Sequence, residues 1–335
     1  MNRTHLMIIM WLTTLACTPK EPRDLTIHWI DVEGGAATLI VTPEGESVLM
    51  DAGWGTDDER DAVRIVAAMD EAGITKLDYV IASHYHNDHV RGMPALARRV
   101  SIGRYIDHGE SVEQNDAWKD YLTVAEGKRR SVTPGDTLSL SGVDFTFVTS
   151  NGEVLDHALA NAVSNIYCQA DSSDIDDSQL TGENPRSVGY LLSMGNFQFL
   201  NLGDLTVNIQ HKLACPSNKI GVIDLYQVPH HGNGVSPELS LALAPTVAVL
   251  NNGGQKGGDA TGYEVISAVP GIQAIWQVHR ALKNDDQHNS SEQLTANLTE
   301  ENDEGHWIKA NVQADGSSYI VENGRNKFSE TYVTK

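Results

Sequence analysis

The chain is expected to fold as a layered α/β protein, with β-sheets sandwiched by helices. Two observations carry that expectation. Short β-type runs bounded by Gly and Pro alternate with helix-type segments. The clusters of His and Asp each follow directly on the end of a β-type run, as a site built along one sheet edge requires.

Taken in order, β-type runs open at residues 25–30, 37–41 and 47–50, with a turn at Pro43-Glu44-Gly45. Residues 57–72 set Val63, Ile65, Val66 and Met69 among charges, the spacing of an amphipathic helix. Residues 77–82 read as a buried strand, and 94–99 begin another helix. Residues 106–130 are a polar segment with Trp118 and Tyr121. Strands return at 137–140 and 143–148, and the acidic, Ser-rich stretch 171–183 is expected as an exposed insertion. Residues 187–193 and 197–202, joined at Met194-Gly195-Asn196, read as a hairpin. Strands at 222–228, 246–250 and 274–280 complete the core, and 307–312 with 318–321 read as an edge hairpin. No repeat or linker divides residues 25–335, which are expected to form a single domain.

Ahead of that domain, Arg3 and the apolar residues 6–12 read as an export signal over residues 1–16, too short to span a membrane stably. The signal ends at Thr14-Leu15-Ala16-Cys17, and residues 17–24 form a polar linker with Pro19 and Pro22. This arrangement resembles a bacterial lipoprotein signal, which implies lipidation of Cys17 and a membrane-anchored protein facing the periplasm or the cell exterior. The alternative is an ordinary cleaved signal with an incidental Cys. In an exported protein Cys168 and Cys215 either pair or remain as two thiols. Lys and Arg number 24 against 45 Asp and Glu, a net charge of −21. That balance disfavours extended nucleic-acid binding, which relies on basic residues neutralising phosphates. It leaves a small phosphorylated substrate open, because bound metals can supply local positive charge.

The chemistry concentrates in Ser83-His84-Tyr85-His86-Asn87-Asp88-His89. Imidazole and carboxylate are the usual ligands of zinc and similar divalent metals. In extended chain, positions two apart point the same way, so His84 and His86 can grip one ion. Asp88 and His89 are adjacent and diverge, so they more naturally hold a second. Asp204 follows the run 197–202, and His230 and His231 follow 222–228. Asp51, at the end of 47–50, reads either as a partner orienting a metal-bound imidazole or as a turn residue before Gly53.

The pattern H-x-H-x-D-H at residues 84–89 is the signature of the metallo-β-lactamase superfamily, and the segment resembles it in full. Residues 31–40, Asn184-Pro185-Arg186-Ser187, Gly203-Asp204 and Val228-Pro229-His230-His231-Gly232 further resemble the hydrolase domain attached to ComEC, the bacterial DNA-uptake channel. The resemblance implies an αβ/βα sandwich, metal dependence and hydrolytic chemistry; two ions are expected, with a single-metal enzyme as the alternative. In that reading Asp204 bridges both ions, while His230 or His231 completes the second site and its neighbour assists the leaving group. Zinc is the default metal, with manganese or iron as alternatives. The chain departs from the pattern at Glu33, Ala36 and Arg91, and Pro134-Gly135-Asp136-Thr137 carries Asp where the wider superfamily supplies a further His. His108 and His157 are the other candidates for that ligand, and a loop or supporting residue is the competing reading of each.

The function expected is an exported metal-dependent hydrolase in which a metal-activated water attacks a phosphodiester-type substrate, with Asp88, His230 and His231 as the catalytic group. A lactone, ester or β-lactam amide is the alternative substrate, and a non-catalytic metal- or ligand-binding lipoprotein is the rival from another class. Arg91, His279 and Arg280 are candidates to face the substrate; a structural His beside Trp276 and a solvated Arg are the other readings of the last two.

Overall fold

The computed structural model describes residues 23–159, 163–168, 181–299 and 304–335. The expected export signal and Cys17 lie outside the described residues, as does most of the acidic stretch 171–183. Among the described residues, strands form two nine-stranded sheets. The first runs Ser329–Val333, Ser318–Asn323, Ile308–Val312, Leu25–Trp29, Thr38–Val41, Ser47–Met50, Lys76–Ile81, Ser101–Asp107 and Arg129–Ser131. The second runs Thr295–Asn297, Ala274–His279, Val247–Leu250, Leu225–Gln227, Phe197–Asn201, Gly189–Met194, Val143–Ser150 and Thr137–Leu140, with Glu153–Val154 paired beside it.

Each sheet is apolar on both faces, and this dictates the layering. Between the sheets, Trp29 meets Phe199 edge-on with ring centroids 5.6 Å apart, and Phe145 stacks on Tyr190 at 4.4 Å. On the outer face of the first sheet, Leu39, Leu49 and Val80 pack against Ile65 and Met69 of the helix Arg60–Glu71, Leu96 of Met93–Arg99, and Tyr121 of Asp116–Ala125. On the outer face of the second, Leu200, Tyr226 and Ala248 pack against Ile209 of Val207–Ala214, Leu239 of Pro237–Leu243 and Ile266 of Ala260–Ser267. The result is an αβ/βα sandwich. Parallel neighbours need a crossover, and the helix Arg60–Glu71 provides one between Ser47–Met50 and Lys76–Ile81.

Three features differ from the sequence expectation. The hairpin at residues 307–321 is not an edge, because Ile308–Val312 pairs with Leu25–Trp29 and Ser329–Val333 takes the outside position. The polar segment 106–130 holds the helix Asp116–Ala125, which buries only the stripe Ala117, Trp118, Tyr121 and Ala125 and is capped by the Asn115 side chain. The strand Ser101–Asp107 is buried mostly in its second half, so its alternation is broken. Cys168 and Cys215 are joined in a disulfide.

A single oxygen ties the sheets together behind the site. Gln227 Oε1 accepts from Trp29 Nε1 at 2.8 Å, from Thr38 Oγ1 at 2.8 Å and from Asn201 Nδ2 at 2.9 Å. Trp29 and Thr38 belong to the first sheet, Asn201 and Gln227 to the second. Replacing Gln227 by Leu strands three buried donors, so the expected loss is about 2–4 kcal/mol, at 1–3 kcal/mol for each unsatisfied group with incomplete additivity. Urea denaturation of the variant measures it; a loss under about 1 kcal/mol would show that water or a repacked neighbour serves those donors.

Candidate metal centre

Four strand ends converge on one edge of the sandwich. The strand Lys76–Ile81 runs into Ser83 and His84, and the short helix Asn87–Val90 then carries Asp88 and His89. Asp51 follows Ser47–Met50 in a left-handed conformation, φ 62°. Asp204 follows Phe197–Asn201, and His230 and His231 follow Leu225–Gln227. Both histidines are left-handed, with φ of 53° and 55°. Consecutive non-glycine residues in that region are strained by roughly 1–3 kcal/mol each and persist only where their surroundings hold them. Here the His230 amide donates to the Gly203 carbonyl at 3.0 Å, and the His231 carbonyl accepts from Gly258 at 2.7 Å.

Asp204 lies at the middle of the arrangement. Its Oδ2 is 3.2 Å from His89 Nε2, 3.3 Å from His231 Nε2, 3.8 Å from His230 Nε2 and 4.0 Å from His84 Nε2. Asp88 Oδ2 is 3.2 Å from His89 Nε2 and 3.3 Å from His231 Nε2. Asp88, His89, Asp204 and His231 thus offer ligand atoms within 4.8 Å of one another, all four residues buried. His84 Nε2 and His86 Nδ1 are 2.9 Å apart, and His230 faces the same Asp204 carboxylate.

Two observations test whether these residues suit metal ions. His89 Nε2 and His231 Nε2 are buried without a hydrogen-bond partner. Buried polar atoms are ordinarily satisfied, and buried carboxylates are ordinarily paired or bound to metal. The protonation balance agrees. Burial alone would raise the Asp204 carboxyl, yet His231 and His89 hold it well below the usual range. Burial would depress His89, yet Asp204, Asp88 and Asp51 raise it well above its ordinary value. The donor set fits a divalent cation among Asp88, His89, Asp204 and His231, with His84 and His86 paired beside it.

The supporting residues are specific. Asp51 Oδ2 accepts from His89 Nδ1 at 2.8 Å and from Ser83 Oγ at 2.7 Å, while Oδ1 accepts from the Ser83 amide at 2.8 Å. This turns His89 so that Nε2 faces inward. His108 sits one layer behind, packed on Tyr85 with ring centroids 4.5 Å apart and 3.0 Å from Glu183 Oε2. His157 is exposed, and Asp136 closes a turn onto Thr133. Sequence reasoning missed Glu113, whose Oε1 lies 3.4 Å from His86 Nε2, and Lys256, which pairs with Asp88 Oδ2. Lys256 was findable, since Gly253-Gly254-Gln255-Lys256-Gly257-Gly258 follows a further strand end, Val247–Leu250. Asn184 Nδ2 lies 3.2 Å from His230 Nε2.

Two expected substrate-facing residues point elsewhere. His279 is 3% exposed and its Nε2 is 2.7 Å from Asp31 Oδ1. Its strand end does reach this sheet edge, but Asp31 from the opposite sheet takes the imidazole. Arg64 lies 3.1 Å from the other Asp31 oxygen, so Asp31, Glu33 and His279 already have a cation beside them. Arg280 pairs with exposed Asp286. Arg91 does border a pocket beside Asn87.

Residues 30–166 match the family model described as "Metallo-beta-lactamase superfamily". A stretch of 112 residues is 30% identical to coenzyme F420H(2) oxidase of Methanothermobacter marburgensis, taking in 33% of this chain and only 27% of that relative's length. Among solved structures, the metallo-beta-lactamase fold protein YhfI of Bacillus subtilis is 13% identical, with a TM-score of 0.47 over 75% of this chain and 96% of that one. CmlA, a diiron beta-hydroxylase from Streptomyces venezuelae, is 14% identical, with a TM-score of 0.41 over 76% and 48%. The segment that carries His84 to His89 thus lies within the family match, and among the described residues the αβ/βα sandwich places a candidate metal centre at one edge.

Asp51→Asn places an amide against His89 Nδ1 and disturbs the ring's proton. Affinity for zinc is expected to fall about 10–100-fold, as for other partners of metal-bound histidines. Competition against a chelating dye measures it, and unchanged affinity would show that Asp51 does not orient His89.

Proposed function

We propose that this chain is an exported metal-dependent hydrolase of phosphodiester-type substrates, with zinc as the default metal. The observation that carries the reading is the place of Asp204, a buried carboxylate with one oxygen within 4.0 Å of His84, His89, His230 and His231. Metal ions held there would supply Lewis-acid charge and lower the pKa of water. The residues do the rest by placement. Asp51 and Glu113 orient His89 and His86, so the ligand atoms face inward at fixed angles. His231 is fully buried with the second ligand group, whereas the side chain of His230 is 30% exposed. His230 is therefore the histidine placed to meet a leaving group, and Asn184 steadies it.

The phosphodiester class is supported by the likeness of residues 31–40, 184–187 and 228–232 to the ComEC-attached hydrolase. Segments 184–187 and 228–232 meet at the centre through Asn184 and His230. Export and a lipid anchor at Cys17 are proposed on the pattern of residues 1–22 alone.

The test is metal content by mass spectrometry on the purified chain, beside turnover of bis(p-nitrophenyl) phosphate, nitrocefin and a simple lactone. About two ions per chain are expected, with phosphodiester turnover that a chelator abolishes and zinc or manganese restores. Asp88→Ala should lose turnover while keeping a cooperative melt. Turnover of lactone or nitrocefin alone, or metal-loaded protein inert toward all three, would reject the phosphodiester reading.

A further inference from the structure

A pocket of about 440 Å³ opens beside the metal centre. Its wall includes Glu33, Trp54, Arg60, Asn87 and Arg91. Asn87 adjoins Asp88 in the chain, and a Cβ on Gly35 would lie 2.5 Å from the Asp88 carbonyl and 3.2 Å from Trp54 Nε1, so Trp54 packs close to the Asp88 backbone. Lys256 reaches the same place from the second sheet: its Nζ lies 4.9 Å from the Trp54 ring centroid and pairs with Asp88 Oδ2. Its side chain is 36% exposed, so the ammonium is open to solvent while bordering the centre.

The backbone places this lysine closely. Its loop is pinched between two turns: a Cβ on Gly34 would lie 2.9 Å from Lys256 Cβ, and one on Gly257 would lie 2.5 Å from His231 Cβ. The Gly253 amide donates to the Lys256 carbonyl at 2.8 Å, and Gly258 donates to His231 at 2.7 Å. Lys256 is therefore delivered to the pocket by the same turns that hold the metal-binding histidines. In a chain with a net charge of −21, Lys256 nevertheless lies over Trp54 while Arg91 lines the same pocket, with Glu33 as the acidic member of the wall. Cations gathered at a cleft attract anions there. A lysine ammonium is a point charge on a flexible stem and can turn from Asp88 to an incoming phosphate, while an indole offers a flat apolar face.

We propose that Lys256, Trp54 and Arg91 form a substrate subsite beside the metal centre that selects phosphoesters carrying an aromatic group. The subsite rests on the hydrolase reading for the reaction it serves, but its binding does not require turnover.

The test uses the full chain at matched zinc content, titrated by calorimetry with phenylphosphonate, a non-hydrolysable aryl anion, and with neutral benzyl alcohol. Lys256→Met is expected to weaken phenylphosphonate binding about tenfold, the order expected of one charged hydrogen bond, and to leave benzyl alcohol unchanged. Lys256→Arg should restore most of the affinity, which separates lost charge from lost folding. Trp54→Ala should weaken both ligands. Phenylphosphonate binding that is unchanged in Lys256→Met, or a loss shared equally by benzyl alcohol, overturns the subsite. If the pattern appears while bis(p-nitrophenyl) phosphate is not hydrolysed, the subsite stands and the hydrolase reading falls. If hydrolysis proceeds and Lys256→Met leaves its KM unaltered, the subsite falls and the hydrolase reading stands.

Discussion

Oε1 of Gln227 accepts hydrogen bonds from Trp29, Thr38 and Asn201, and through them locks the register between the two sheets. The centre depends on that register. His84, His86, Asp88 and His89 are carried by the first sheet, whereas Asp204, His230 and His231 are carried by the second. Apolar packing between the sheets is strong but non-directional, and it would tolerate small sliding. A buried carbonyl serving three donors would not, because slippage leaves polar groups unpaired. Gln227 is also two residues from Pro229, so the constraint lies immediately behind the paired histidines.

The centre itself works against folding. Asp51, Asp88 and Asp204 are buried beside one another, and His89 Nε2 and His231 Nε2 are left without hydrogen bonds. Two successive left-handed histidines add backbone strain. The layers around it supply the compensation, with Trp29, Tyr190 and Trp276 fully buried between the sheets. Such a concentration of unfavourable terms in one place, at the edge of an otherwise well-satisfied core, is what a binding site looks like energetically. It also explains why Asp51 and Ser83 are so fully engaged: each hydrogen bond removes one orientation that His89 would otherwise adopt.

The family match ends at residue 166, so the second half of the centre stands on geometry. Asp204 and His231 are bracketed with Asp88 and His89 by distance alone. The same geometry distinguishes the two adjacent histidines: His231 Nε2 lies 3.3 Å from Asp204 Oδ2 with its side chain fully buried, and His230 Nε2 lies 3.8 Å away with its side chain 30% exposed. It also divides the positive charges. Arg280 is taken by Asp286, Lys256 pairs with Asp88 at the centre, and Arg91 lines the pocket that includes Trp54.

Much was legible in the chain. The histidine-rich run, its position after a buried strand and the recurrence of ligand-type residues at two later strand ends follow from local pattern, because strand alternation and metal-ligand chemistry are properties of short segments. The layered fold followed from the same alternation. What the tertiary structure decided is everything that depends on residues distant in the chain. Asp31 captures His279 across 248 positions, which no local pattern contains. Glu113 reaches His86 and Lys256 reaches Asp88 because separate loops happen to share an edge. The helix Asp116–Ala125 escaped because its buried stripe is narrow and its remaining face polar. Residue type and spacing therefore determined which chemistry this chain carries. Packing of the two sheets decided which side chains were left facing it, since a side chain's partner is set by the three-dimensional approach of backbones and not by its neighbours in sequence.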